Sequence, residues 1–160
     1  MIPFAAATDH FLTKLAADAL RQLDGIPERD LNEWRPALGL QDVNTLYGLA
    51  THLVAAGEFW MLHAAAGRPT DRDRPAEFRA SGDLATLQAR YGRWLDECRA
   101  VLSELAEADL DRRFQGGSSQ PVDWSVAECI MHAVEHTAVH VGHLQLQRQI
   151  WNAERIGAGG

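Results

Sequence analysis

Lysine is nearly missing from this sequence: Lys14 is the only one in 160 residues, and the other basic residues are arginines scattered among Asp and Glu. With a net charge of −7 and no dense Lys/Arg patch, the chain has little with which to displace counterions from phosphate, which argues against a nucleic-acid partner. Cysteine is scarce as well. Cys98 and Cys129 are too few for a disulfide framework, neither lies in a Cys-x-x-Cys motif, and both suit a reducing cytosol. No uninterrupted apolar run reaches membrane-spanning length, and the N-terminus lacks a basic region followed by a hydrophobic signal core. Cytoplasmic residence away from any membrane is therefore the expectation. There is no internal repeat.

What is present reads as one soluble domain with a core of its own. The composition is 46% hydrophobic and 23% charged, ordinary for a globular chain of this length. Apolar residues recur at helical spacing in four long segments. The first runs from residue 3 to about 24, opened by Pro3 and closed by Gly25 and Pro27. The second runs from about Asn44 to Ala66, with Asn44 or Asp42 as its cap. The third begins near Ser81 or Asp83 and reaches about Leu105. The fourth opens at Ser125, where Ser125-Val-Ala-Glu128 matches a capping box, and runs to about Trp151. A short turn around Glu28–Trp34 is possible, with Leu31 and Trp34 free to pack down. Residues 106–124 read as an irregular link, and no segment reads as a strand.

Residues 67–82 form a polar connection with two prolines, longer than most helix–helix links. Extended at roughly 3.3 Å per residue, it spans more than a 22-residue helix, so it can start the third helix parallel to the second. Its alternating Asp and Arg charges read as a solvated surface. The expectation is an all-α four-helix bundle with a long crossover between the second and third helices. One domain covers 1–156, and 157–160 form a disordered tail.

The chemistry-bearing stretch is Met131-His-Ala-Val-Glu-His-Thr-Ala-Val-His-Val-Gly-His143, which holds four of the seven histidines. At about 100° per residue, His132, His136, His140 and His143 lie within an arc of roughly 80° on one helix face. The segment is apolar enough to pack inside a fold, and several buried imidazoles without partners are costly. Metal coordination is the economical explanation, because His at i and i+4 can share one ion. The bland alternative is a set of ordinary polar positions on a partly exposed face. Spacing alone leaves open whether the pair is His132/His136 or His136/His140. On the second helix the inward candidate opposite them is His52. His63 lies roughly 16 Å further along the axis and cannot reach the same ion, and His10 stands alone. Cys129, one turn before the histidines, and Cys98 read as buried and inert.

Three pieces in this order resemble the DinB/YfiT-like superfamily of metal-dependent enzymes. They are Leu49-Ala-Thr-His52-Leu-Val followed by Glu58-Phe59-Trp60, then Trp124-Ser125, then His132-Ala-Val-Glu-His136-Thr-Ala-Val-His140-Val-Gly142-His143. The resemblance spans nearly the whole chain. It implies a four-helix bundle with a crossover, often dimeric, that holds zinc or nickel through His52, His136 and His140. It departs from the family's common His-Arg-Gly-Gln pattern at Val141 and His143. Resemblance further implies a metal-dependent transferase that activates a low-molecular-weight thiol toward an electrophilic acceptor. Metal-dependent hydrolysis ranks second, and a bundle that merely binds metal, stapling helices or sensing stress, is the non-enzymatic alternative. Five tryptophans and an apolar bundle surface, with what relatives do, point to a homodimer.

Overall fold

The computed structural model describes residues 1–37, 43–116 and 122–157. Its elements are α1 (Pro3–Leu23), α2 (Glu28–Glu33), α3 (Leu46–Glu58), a π-helical continuation of α3 (Phe59–Ala65), α4 (Arg74–Glu77), α5 (Leu84–Glu104), a 3-10 turn (Glu107–Asp109), strands β1 (Arg113–Gln115) and β2 (Asp123–Ser125), and α6 (Val126–Gly157). The long helices α1, α3, α5 and α6 enclose one apolar core containing Leu12, Leu53, Trp60, Tyr91, Trp94 and Ile130, all essentially buried. The four-helix expectation holds. Among the described residues no helix is long and apolar enough to cross a membrane.

Local chemistry sets the helix boundaries. Thr45, rather than Asn44, caps α3 by accepting the Gly48 N–H at 3.0 Å; Asp42 lies outside the described residues. Asp83 caps α5 through Thr86 N at 2.7 Å. The capping box that opens α6 is reciprocal: Ser125 N–H donates to Glu128 Oε2 at 2.6 Å, and Glu128 N–H donates to Ser125 Oγ at 3.2 Å. The last helix runs past Trp151 to Gly157 because tertiary contacts hold its extension. Trp34 Nε1 donates to Glu154 at 2.9 Å, Trp151 Nε1 donates to Asp30 at 2.8 Å, and Arg155 pairs with Asp30. The tail beyond Gly157 lies outside the described residues.

Pairings across the bundle establish the crossover. Tyr91 OH donates to Ala50 O at 2.8 Å, and Glu58 pairs with Arg90 at 2.6 Å. Just past the π-helical end of α3, Arg68 pairs with Glu97 further along α5, so α5 runs parallel to α3. Against α6 the order reverses. Asn44 O accepts from Gln147, His52 faces His136 and His140, and Trp60 faces His132. Helices α3 and α6 are antiparallel.

The link before α6 also needs correction. It is not wholly irregular, because β1 and β2 pair antiparallel with Phe114 opposite Trp124. These strands are three residues each, too short to print an alternation on the sequence. Their purpose is packing. The Trp124 indole stacks on Trp60 at 5.0 Å, and Phe114 meets Trp60 edge-on at 6.2 Å, closing one end of the bundle.

Gly57 marks the tightest helix approach. A Cβ placed there would stand 2.6 Å from Cε2 of the Trp94 indole. Adding a methyl in mid-helix ordinarily stabilises by about 1 kcal/mol. Here Gly57→Ala is expected to destabilise by about 1–3 kcal/mol through overpacking, read as a lower urea midpoint with unchanged slope.

Candidate metal centre

His52 is delivered by the middle of α3, where every residue from Leu46 to Gly57 is buried. The α6 face then brings His136 and His140 against it. Ring centroids are 5.1 Å apart for His52–His136, 4.9 Å for His52–His140 and 4.4 Å for His136–His140. One ring nitrogen from each lies within 4.8 Å of the other two. The spacing ambiguity of the sequence is thereby resolved as a matter of placement: His136 and His140 share the cluster with His52, and His132 does not.

Each imidazole has a distinct environment. The His52 Nδ1 lies 2.7 Å from Glu77 Oε2, and both side chains are almost wholly buried. Arg72 grips the same carboxylate with both arms, at 2.6 Å and 3.1 Å. Burial pushes the Glu77 carboxyl up, but the hydrogen bonds from His52 and Arg72 outweigh it and hold the group below its ordinary value. With Nδ1 committed to Glu77, Nε2 of His52 is the nitrogen left for a metal, an arrangement typical of metal-bound histidine. The His52 ring also stacks on Phe78 at 4.4 Å.

His136 Nδ1 is buried with no hydrogen-bond partner among the described residues. Burial, and then the neighbouring His140 and His52 rings, lower the His136 pKa to about 3. Burial and His52 likewise lower His140 to about 4, with His143 and Arg74 adding to the effect. Both are therefore neutral at physiological pH, the state in which imidazole binds metal. Clustered ring nitrogens, with His136 and His140 held neutral and His136 Nδ1 orphaned, fit a metal ion.

The remaining candidates are satisfied elsewhere. His132 pairs with Glu135 at 3.0 Å and meets Trp60 and Trp124 edge-on. His63 Nδ1 lies 2.6 Å from Arg68 O, and His10 is exposed beside Phe11. His143 is exposed and outside the trio, its Nδ1 3.2 Å from Nδ1 of His140. Cys98 and Cys129 are buried, and burial pushes the Cys129 thiol up to about 11. Sequence reasoning missed Glu77 and Arg72, because the alternating charges of the 67–82 link read as a solvated surface. Phe78, the one aromatic in that link, was the available signal that the chain docks there.

A bundle whose second and third long helices run parallel, with three imidazoles from α3 and α6 brought together, has the DinB-like fold. Residues 7–153 match the family model described as Mycothiol-S-transferase, and the chain belongs to that family. Similar solved structures include a conserved protein from Enterococcus faecalis, with TM-score 0.70 and 12% identity over 94% of this chain and 98% of that one. A protein from Streptococcus pneumoniae has TM-score 0.66 and 14% identity, over 96% and 92% of the two chains. A variant of mycothiol-dependent maleylpyruvate isomerase has TM-score 0.63 and 14% identity over 90% of this chain, which spans 63% of that protein. At these identities the likeness is one of fold. A comparison with curated proteins finds no match.

If the trio binds metal, untagged protein carries one divalent ion per chain by elemental analysis, and His136→Ala or His140→Ala loses it. His10→Ala and His63→Ala keep it. Glu77→Gln removes the charge behind His52 while preserving shape, and metal affinity should fall roughly 10- to 100-fold in a chelator competition. Unchanged affinity would show that the carboxylate does not act through His52.

Proposed function

We propose that this chain is a metal-dependent thiol S-transferase, with His52, His136 and His140 as the protein ligands of one zinc or nickel ion. The observation that carries the reading is a set of three clustered imidazoles, His136 and His140 among them held neutral, on the wall of a cleft of about 530 Å³. Three protein ligands leave room for a substrate atom. Membership of the Mycothiol-S-transferase family supports a small-molecule thiol as that substrate, mycothiol first among them. When bound, the ion would keep a thiol ionised at neutral pH.

The chain's own residues do the rest. Glu77 fixes the His52 ring through Nδ1, and Arg72 fixes Glu77. Leu49, Phe78, Leu146 and Ile150 supply apolar wall and limit water around the sulfur. The thiol proton leaves to solvent through the open cleft, because His136 and His140 are held neutral and are weak bases. We further propose that residues 1–156 act as one domain in the cytosol, as a homodimer. Light scattering at micromolar concentration should then give twice 17.7 kDa; a clean monomer mass refutes the dimer.

The competing reading is an ion that only staples α3 to α6, which a fourth protein ligand would favour. His143 raises it, being 3.2 Å from His140. Cobalt substitution separates the two. Titration with a low-molecular-weight thiol should produce a saturable sulfur-to-cobalt charge-transfer band in the unmodified protein. A closed site would instead give that band only after His143→Gln, and the transferase reading would fall.

A further inference from the structure

Two clefts reach the histidine cluster from different directions along α6, and His52, His136 and Arg74 line both. The larger, of about 530 Å³, continues toward His140, His143 and Gln147. The smaller, of about 280 Å³, continues toward Ala56, Trp60 and His132, with Arg72 at its edge.

Their polar equipment differs. In the large cleft Gln147 is 9% exposed; its Nε2 donates to Asn44 O at 3.2 Å, but its Oε1 is buried without a partner among the described residues. That oxygen is an acceptor waiting for a donor. In the small cleft Arg72 is neutralised by Glu77. Arg74 is not. It forms no salt bridge among the described residues, and its guanidinium stands over the Phe78 ring at 5.5 Å, the ring that stacks on His52. An exposed guanidinium with an open fork suits a carboxylate. The edge of the buried Trp60 indole, with Ala56, adds apolar wall to the same cleft.

We propose that the two clefts hold the two substrates apart: the large one takes the thiol, and the small one takes a small electrophile bearing a carboxylate that Arg74 binds. This rests on the thiol-transfer reading of the same site. Amide N–H or hydroxyl groups of a peptide-like or glycoside-like thiol satisfy Gln147 Oε1. The sulfur then points at the histidine cluster, where the small cleft delivers the acceptor carbon. A sulfur–carbon bond forms as the thiol proton is lost to solvent. The displaced electron pair departs with the leaving group. In an unsaturated acceptor it moves instead to the adjacent carbon, which takes a proton from water. Nothing is oxidised or reduced. Arg74 contributes charge and position without touching the sulfur.

The matched electrophiles iodoacetate and iodoacetamide, with N-acetylcysteine as thiol, test the charge preference directly. Buried Cys98 and Cys129 should not compete for them. The protein as purified should favour iodoacetate, and Arg74→Gln should cut that preference roughly tenfold in kcat/KM while leaving iodoacetamide and the cobalt–thiol band unchanged. Gln147→Leu should raise the KM for thiol and leave the preference intact. Equal loss for both electrophiles in Arg74→Gln overturns the assignment. Calorimetry with benzoate, a flat unreactive carboxylate, probes the small cleft without any thiol. Saturable binding that weakens roughly tenfold in Arg74→Gln supports the subsite, and its absence sinks it. Benzoate binding without a cobalt–thiol band would condemn the transferase reading and leave the carboxylate subsite standing.

Discussion

The carboxylate of Glu77, 6% exposed, is the group on which the site depends. A buried charge persists only when it is paired and hydrogen-bonded, and losing a partner costs on the order of 3–5 kcal/mol. Glu77 has two partners from different parts of the chain: Arg72 just before α4 and His52 on α3. Satisfying the charge therefore pins the crossover onto α3. Phe78 follows and stacks on His52. The backbone must come close for this. A Cβ at Gly48 would lie 2.9 Å from the Phe78 carbonyl oxygen, so the glycine at that turn of α3 is part of the same constraint.

From there the geometry of α6 is almost dictated. His52 has one nitrogen committed and one left over, and the antiparallel α6 presents i, i+4 imidazoles to it. His136 and His140 do so at centroid spacings near 5 Å. Below them the Trp60–Trp124 stack and the β1–β2 pair close one end of the interior. Burial keeps His136 and His140 uncharged, which spares the core the repulsion of like charges. The same burial leaves their ring nitrogens in the unprotonated form that imidazole needs to bind a metal.

Much of this was legible because helices announce themselves by period. The four long helices, the Ser125–Glu128 box and the one-face clustering of the α6 histidines all follow from residues a few positions apart. The crossover was legible from the length of the 67–82 link alone. What stayed hidden needed contacts between distant residues. Glu77 is 25 positions from His52, and apart from the adjacent Phe78 nothing near it distinguishes it from the solvated acids around it. The Phe114–Trp124 pairing rests on strands too short to have a period. The extension of α6 to Gly157 depends on Asp30 capturing Trp151 and Arg155 across the whole chain.

His143, where the sequence departs from the superfamily's usual pattern, gains a physical meaning beside Glu77. Its Nδ1 faces Nδ1 of His140 at 3.2 Å, so one ring donates and the other accepts according to tautomer. That bond commits Nδ1 of His140 and leaves Nε2 as the nitrogen for a metal, as Glu77 does for His52. The two supports are unequal. A carboxylate raises the basicity of the ring it holds, whereas a neutral imidazole mainly fixes orientation. His143 is also exposed, while Glu77 is buried and doubly held. The α3 side of the site is thus rigid and electron-rich, and the α6 side is adjustable at the cleft. Of the three clustered imidazoles, His140 beside the exposed His143 is the one whose position is easiest to tune.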